Sequence, residues 1–192
     1  MARLPATAPT VATLVASPVD ALLLVADDAG LRGLYFAEHR GRPAVPPPGA
    51  ALVDARALIG ADDDAADDAS GGARAVLARA RTQLAEYFDG GRTAFDLPLA
   101  PRGTAFQQRV WALLRAIPYG ETRSYGELAQ LAGVPRAARA IGVANARNPI
   151  SIVVPCHRVV ARDGALTGFG GGISRKRALL LLERMHHRID DA

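Results

Sequence analysis

The chain has 192 residues, of which 49% are hydrophobic and 22% charged, which describes a soluble globular protein with one large domain or two small ones. One cysteine excludes an intramolecular disulfide and any cysteine-rich zinc cluster, and His39, His157, His186 and His187 show no metal-ligand spacing. The net charge of +4 is unevenly divided: residues 1–98 carry 9 arginines against 13 acidic residues, while residues 99–192 carry 14 basic residues against 6 acidic. A basic second half suits a polyanionic partner, nucleic acid first, and equally suits a solvated arginine-rich surface.

In chain order, Met1 to Ser17 faintly imitate a signal peptide, but Pro5, Pro9 and interspersed threonines break its apolar region. No apolar run reaches the length of a membrane span, so a cytoplasmic protein is expected. Val11–Val15 and Leu22–Ala26 read as strands, and the turn Asp27-Asp28-Ala29-Gly30 leads into a partner strand, Leu31–Phe36. Pro43 to Pro48 reads as a proline-rich loop and Asp62 to Gly72 as an acidic, flexible one. Ala73 to Phe88 reads as a helix with Leu77, Ala80, Leu84 and Phe88 on one face, closed by Gly90. No residue of this part carries identifiable chemistry.

Leu97 to Gly103 reads as the connection to a second unit. Thr104 with Gln107 forms a capping-box signature for a helix whose apolar stripe is Phe106, Val110, Leu113, Leu114 and Ile117. Ser124 with Glu127 repeats that signature for a helix through Leu128 and Leu131. Gly133 makes a turn, and Pro135 occupies the first position of a helix running to about Ala146. Two short helices joined by such a turn form a helix-turn-helix candidate at about residues 124–146. The second helix is rich in small and basic residues: Arg136, Ala137, Ala138, Arg139, Gly142. Small side chains allow close approach to a narrow groove and arginines address phosphates or unstacked bases, although close packing against neighbouring helices would select the same alanines and glycine.

Asn148-Pro149 ends that helix, and Ile150, Ile152, Val153 and Val154 read as a buried strand leading to Cys156. His157 follows the cysteine directly. Thiolate is the nucleophilic form, and a nearby imidazole raises its fraction. Asp163-Gly164 reads as a turn, and Gly168 to Gly172 as a glycine-rich loop lacking any phosphate-binding pattern, suited to a mobile wall beside the site. Ser174 is expected to cap a last helix holding Leu179, Leu180, Leu182 and Glu183. Glu183 falls at or near the apolar face, where it either pairs with His157 or reaches solvent.

These ordered segments together resemble the O6-alkylguanine-DNA alkyltransferases (methylated-DNA–protein-cysteine methyltransferases) from Gly103 to Glu183. The resemblance is carried by Thr104-Ala105-Phe106-Gln107, Ile117 through Thr122, Ser124-Tyr125, Arg136 through Gly142, Asn148-Pro149, Pro155 through Val159, and Gly171-Gly172 with Lys176 and Glu183. The first hundred residues resemble the family only through their hairpin-and-helix pattern. The resemblance implies an α+β protein: a small N-terminal unit of hairpin plus helix, residues 1–98, and a mainly helical DNA-binding and alkyl-accepting unit, residues 99–192.

By the same resemblance Cys156 accepts the alkyl group, His157 and Glu183 form the relay that makes its thiolate, and Asn148 braces the turn before it. Tyr125 helps flip the target and protonates the departing guanine, and Arg139 enters the stack in place of the flipped nucleotide. Arg136, Ala137, Ala138 and Gly142 complete a minor-groove surface. Pro155, Val159, Phe169, Gly170 and Gly171 line the base pocket, with the carbonyls of Cys156 and Val159 accepting from the guanine amino group. Phe169 stands where many members have Tyr, and Gly170 where some have Ser.

The implied partner is duplex DNA containing O6-alkylguanine, with O4-alkylthymine as a further substrate. The chain is expected to act as a monomer, with cooperativity on DNA left open. No cofactor or metal is implied, because the alkyl group is itself the electrophile. A transcription factor would leave the Cys156-His157 pair idle, and a cysteine hydrolase would leave the basic helix idle.

Overall fold

In a computed structural model of the chain, residues 9–36, 50–58 and 71–190 are described. The expected loop at 43–48, most of that at 62–72, and His39 lie outside these residues, whereas Gly71 and Gly72 are already helical. Strands β1 (Thr10–Val15), β2 (Leu22–Asp27), β3 (Gly30–Phe36) and β4 (Ala50–Leu52) form one sheet in the order β3-β2-β1-β4. The β2–β3 hairpin is the expected one. β4, which adds in parallel to β1 through Thr10↔Ala50 to Ala12↔Leu52, is too short to leave a sequence signal.

The pleat divides β2 cleanly. Leu22, Leu24 and Ala26 join the main core, while Leu23 and Val25 join a small cluster with Ala12 on the other face. Helix α1 (Gly71–Phe88) covers the main face with Ala73, Val76, Leu77, Ala80, Leu84 and Tyr87. The buried stripe therefore ends on Tyr87, fully buried, whereas Phe88 is only half-buried.

The open edge of β3 is closed by the second half of the chain, which answers the aggregation hazard of an unpaired edge. Leu31 N donates to Pro98 O at 2.8 Å and its carbonyl accepts from Ala100 N at 2.9 Å. Leu34 N donates to Pro149 O at 2.8 Å, and Ser151 N donates to Leu34 O at 3.0 Å. Gly30 permits the first of these joints: it has φ +133°, and a Cβ there would stand 2.4 Å from Pro98 O.

Helices α2 (Ala105–Arg115), α3 (Tyr125–Leu131), α4 (Ala138–Ala146) and α5 (Ile173–Asp190) complete the second half, with a two-residue parallel pair, β5 (Arg123–Ser124) and β6 (Val159–Val160). Both expected capping boxes form, Thr104 with Gln107 and Ser124 with Glu127. Among the described residues no helix is long and apolar enough to cross a membrane.

Three local expectations are corrected. α4 begins at Ala138, with Ala137 as an uncapped N-terminal residue; Ala137 N donates to Val134 O, so Pro135 and Arg136 belong to the connecting turn. α5 begins at Ile173, one residue before the expected cap, and Lys176 N donates to Gly172 O, so Ser174 lies inside the first turn. The apolar run before Cys156 is a coiled turn instead of a strand. Val153 N reaches Ser151 O, Val154 N reaches Ile150 O and Cys156 N reaches Val154 O, which leaves only Ile150 bridged to Leu34. Burial on all sides selects the same β-branched residues in a buried turn as in a buried strand.

Candidate active site and nucleic-acid interface

The turn that carries Cys156 is held from within by Asn148. Its Nδ2 donates to Val154 O at 2.8 Å and Ile150 O at 3.4 Å, and its Oδ1 accepts from Ile150 N at 3.0 Å. Ile152, a β-branched residue, is forced to φ +69°, a conformation found only where surrounding structure compels it. The chain then enters a single helical turn, Cys156–Arg158, following Pro155, whose carbonyl accepts from Arg158 N. All ten residues from Ser151 to Val160 are buried.

Cys156 is the single free cysteine and is 3% exposed. Burial raises its thiol pKa; hydrogen bonds involving the Asn148 and Ser151 side chains, and the Lys176 charge, act in the opposite direction. Lys176 is itself fully buried, with Nζ donating to Val159 O and, at 2.7 Å, to Thr167 O. Desolvation brings the Lys176 ammonium down to about 8.

Beside the cysteine, Glu183 is fully buried and accepts five hydrogen bonds. Oε1 takes them from His157 Nε2 at 2.7 Å, Tyr87 Oη at 2.8 Å and Arg158 Nη2 at 3.0 Å. Oε2 takes them from Arg158 Nε at 2.9 Å and Gly120 N at 3.1 Å. Arg158 also donates to Ile117 O at 2.7 Å and lies over the Tyr119 ring. Burial alone would raise the Glu183 carboxyl, but His157 and Arg158 outweigh it and bring it to about 2.

The two readings of Glu183 are thereby resolved in favour of pairing. Arg158 already supplies the countercharge, and desolvation lowers the His157 pKa, so the imidazole stays neutral. A neutral ring that donates Nε2–H to Glu183 presents Nδ1 as a bare acceptor, and Nδ1 is buried with no hydrogen-bond partner. The arrangement offers one buried proton acceptor on the residue that follows Cys156 in the chain.

Tyr125, at the start of α3, donates Oη to Thr167 O at 3.1 Å, and burial, with the nearby Cys156 charge, raises its phenol pKa. Gly168 makes this approach possible: at φ +57°, a Cβ would lie 2.9 Å from Tyr125 Oη. Gly142 of α4 runs beneath the same ring, 3.7 Å away at its Cβ position.

The glycine-rich loop is pinned at several points. Phe169 is buried, edge-on to Phe36 of β3 at 5.7 Å and to His157 at 6.5 Å, and Arg175 Nη1 donates to Gly171 O at 2.8 Å. The expected mobile wall is in the structure a clamped one, because the aromatic side chain at 169 reaches the core. Gly170 and Gly171 continue this wall, and Gly171 lies directly against the Phe36 ring. Each carbonyl expected to meet the guanine amino group already has protein donors: Val159 O takes Lys176 Nζ, and Cys156 O takes Val159 N and, at 3.4 Å, Asn145 Nδ2.

On α4, Ile141, Ala144 and Asn145 are buried and Trp111 of α2 donates to Ala144 O at 3.0 Å. The opposite face exposes Arg139, Ala140, Val143 and Arg147, with Arg136 exposed just before the helix. Ala137, Ala138 and Gly142 are half-buried at its margin. The structure thus gathers Cys156, His157, Glu183, Asn148 and Tyr125 in one place and sets Arg136 and Arg139 on an adjacent surface. Sequence reasoning assigned no role to Arg158, Lys176 and Gly120, and did not single out Tyr87 or Ser151. A charged residue inside a long apolar run was the available signal for Arg158; Tyr87 gave none.

Residues 105–185 match the family model described as 6-O-methylguanine DNA methyltransferase, DNA binding domain. The methylated-DNA–protein-cysteine methyltransferase of Mycolicibacterium paratuberculosis is 61% identical over 111 residues, covering 58% of this chain and 67% of the relative. That of Methanosarcina acetivorans is 41% identical over 167 residues, covering 87% of this chain and 94% of the relative. Among solved structures, Mycobacterium tuberculosis OGT in complex with DNA superposes with a TM-score of 0.75 at 43% identity, covering 91% of this chain and 93% of that one. An identity of 41% sustained over 87% of this chain and 94% of the relative, with Cys156 inside the segment that the family model matches, is decisive: this chain belongs to the methylated-DNA–protein-cysteine methyltransferase family.

Proposed function

We propose that this protein repairs alkylated DNA by direct reversal, moving the alkyl group of O6-alkylguanine, and of O4-alkylthymine, onto Cys156. The observation that carries this reading is the buried Cys156–His157–Glu183 cluster, set beside the exposed arginine face of a helix-turn-helix. α4 and the turn before it enter the minor groove with Arg136, Ala137, Ala138 and Gly142 at the backbone, and Arg139 fills the stack vacated by the flipped nucleotide. The flipped base meets Pro155, Val159, Phe169, Gly170 and Gly171. A carbonyl oxygen has two lone pairs, so Val159 O can serve both Lys176 and a guanine amino group.

In the transfer step, the thiol proton passes to His157 Nδ1 by way of one water, since no partner lies within direct reach of Nδ1, and Sγ attacks the alkyl carbon in line with the C–O6 bond. That bond breaks, its electron pair passes into the guanine ring, and Tyr125 Oη supplies the proton that neutralises the departing base. Lys176 favours the thiolate by charge, against the burial that opposes it. Tyr125 acts as one preorganised donor, a role worth up to ~3 kcal/mol. The sulfur product is a thioether, which water does not cleave, so each molecule acts once.

Residues 1–98 form a structural unit and residues 99–192 the working unit, in a protein placed in the cytoplasm with its DNA. Intact-mass measurement after mixing with a duplex containing O6-methylguanine tests the reading. The expected result is the gain of one methylene on the Cys156 peptide, with one equivalent of guanine restored. Tight lesion binding without mass gain would favour a lesion-binding protein, and several equivalents of product with unmodified Cys156 would favour a hydrolase.

A further inference from the structure

The cluster around Glu183 contains one residue from the N-terminal half. Tyr87, at the end of α1, lies outside the segment 105–185 that matches the family model and sits 96 residues from its partner. Its ring is fully buried against Phe88 at 5.2 Å, Phe95 at 5.5 Å and Tyr119 at 5.9 Å. Its hydroxyl donates to the Glu183 oxygen that also accepts from His157. Burial, with the adjoining carboxylate, holds the phenol well above its ordinary range, so it remains a donor at every pH at which the protein works.

We propose that Tyr87 is a positioning residue that sets the proton affinity of His157 through Glu183, making the N-terminal half a working part of the transfer site. The proposal rests on the reading of His157 as the base.

Three donors share Oε1, and each one draws on the same electron density. When His157 Nδ1 takes the thiol proton, the imidazolium is stabilised by whatever charge Oε1 still offers through Nε2. A phenol hydrogen bond to that oxygen reduces the offer, which keeps His157 neutral and ready at working pH. Without it, the imidazolium is better stabilised and His157 titrates at a higher pH.

The other groups facing this pair act in known directions. Arg158 and Lys176 oppose the imidazolium by charge, and Glu183 favours it. Cys156 lies next in the chain. Tyr119 stacks under Arg158 and shares a 3.3 Å hydrogen bond with His186 of α5. Of these, removing the hydroxyl alters the hydrogen bonding of Glu183 alone, the residue through which the effect runs; the others keep their positions, and their contributions cancel between wild type and Tyr87→Phe.

The test uses the full chain. The His157 ring is followed by 15N NMR titration in the DNA-free protein, and single-turnover transfer from an O6-methylguanine duplex is measured across the same pH range. In Tyr87→Phe both the ring titration and the acid limb of the rate profile should move up by ~0.5 pH unit or more, the size expected for losing part of one charge-assisted hydrogen bond. The plateau at high pH should hold. Phe88→Leu, which loosens the same aromatic packing and leaves the hydroxyl in place, should not move the limb. An unmoved titration in Tyr87→Phe, or an equal shift in Phe88→Leu, overturns the proposal. Failure of the wild type to transfer would instead remove the repair reading, and the ring titration would still judge the link from Tyr87 to His157.

Discussion

Arginine serves two regions of this molecule under opposite conditions. At the Glu183 cluster, Arg158 is buried, bidentate to one carboxylate, bonded to a carbonyl and stacked on a ring. On the outer face of α4, Arg136 and Arg139 are exposed and form no ion pair among the described residues. The first arrangement holds one geometry at the cost of desolvation, and only because every lone pair is matched. The second leaves long side chains free to meet a partner whose charges are regularly spaced. On the proposed function, precision is confined to the reacting centre, while the recognition surface depends on reach.

The largest break in this comparison removes the proposed nucleophile. Cys156→Ser should abolish transfer, read by intact mass, while duplex affinity stays within roughly twofold, because phosphate contacts belong to the arginine face. Retained transfer would place the nucleophile elsewhere.

Next in size is the carboxylate. Glu183→Gln leaves Arg158 as an uncompensated buried charge and should cost ~3–5 kcal/mol in denaturant unfolding. The wild-type protein reports the same residue through acid. Its carboxyl sits at about 2 when folded, against an ordinary 4.5, so the unfolded chain binds more protons between those values. The stabilisation is complete above pH 4.5 and is lost as pH falls toward 2; in Glu183→Gln that part of the acid transition should disappear.

On the exposed side, Arg139→Ala should slow repair of duplex DNA on the order of tenfold and leave transfer from free O6-benzylguanine nearly unchanged, since only a duplex has a stack to fill. Equal losses would make Arg139 structural. The smallest effect is expected for Arg136→Ala: the slope of log affinity against log salt should fall by about 1 if this side chain neutralises one phosphate. An unchanged slope would take Arg136 off the backbone.

The same contrast explains what could be read before the structure was known. Local signals survived: the hairpin at Asp27–Gly30 and both capping boxes depend on residues within a few positions of one another, and they formed as written. The α4 face was legible because exposure leaves helical periodicity intact. The buried centre was legible only in part. Glu183 sits where a helix face meets the core, and whether it pairs depends on Arg158 and Tyr87, 25 and 96 residues away, which no window contains. The segment Ile150–Val154 was misread because an apolar run looks alike in a strand and in a buried turn, and the turn is imposed by Asn148 and by a strained Ile152. Phe169 looked like part of a free loop because its anchor, Phe36, belongs to the other half of the chain.

The unbroken burial of Ser151 to Val160 has a consequence for supply. On the proposed mechanism the methyl group ends among buried side chains, where overpacking commonly costs ~1–3 kcal/mol. A thioether carries no good leaving group for water or another thiol to displace, so a pocket that admits a flipped base still offers no route back to the free thiol. Renewal must therefore come from the ribosome, and a cell's tolerance of sudden alkylation is set by how many copies of this chain it holds when the dose arrives.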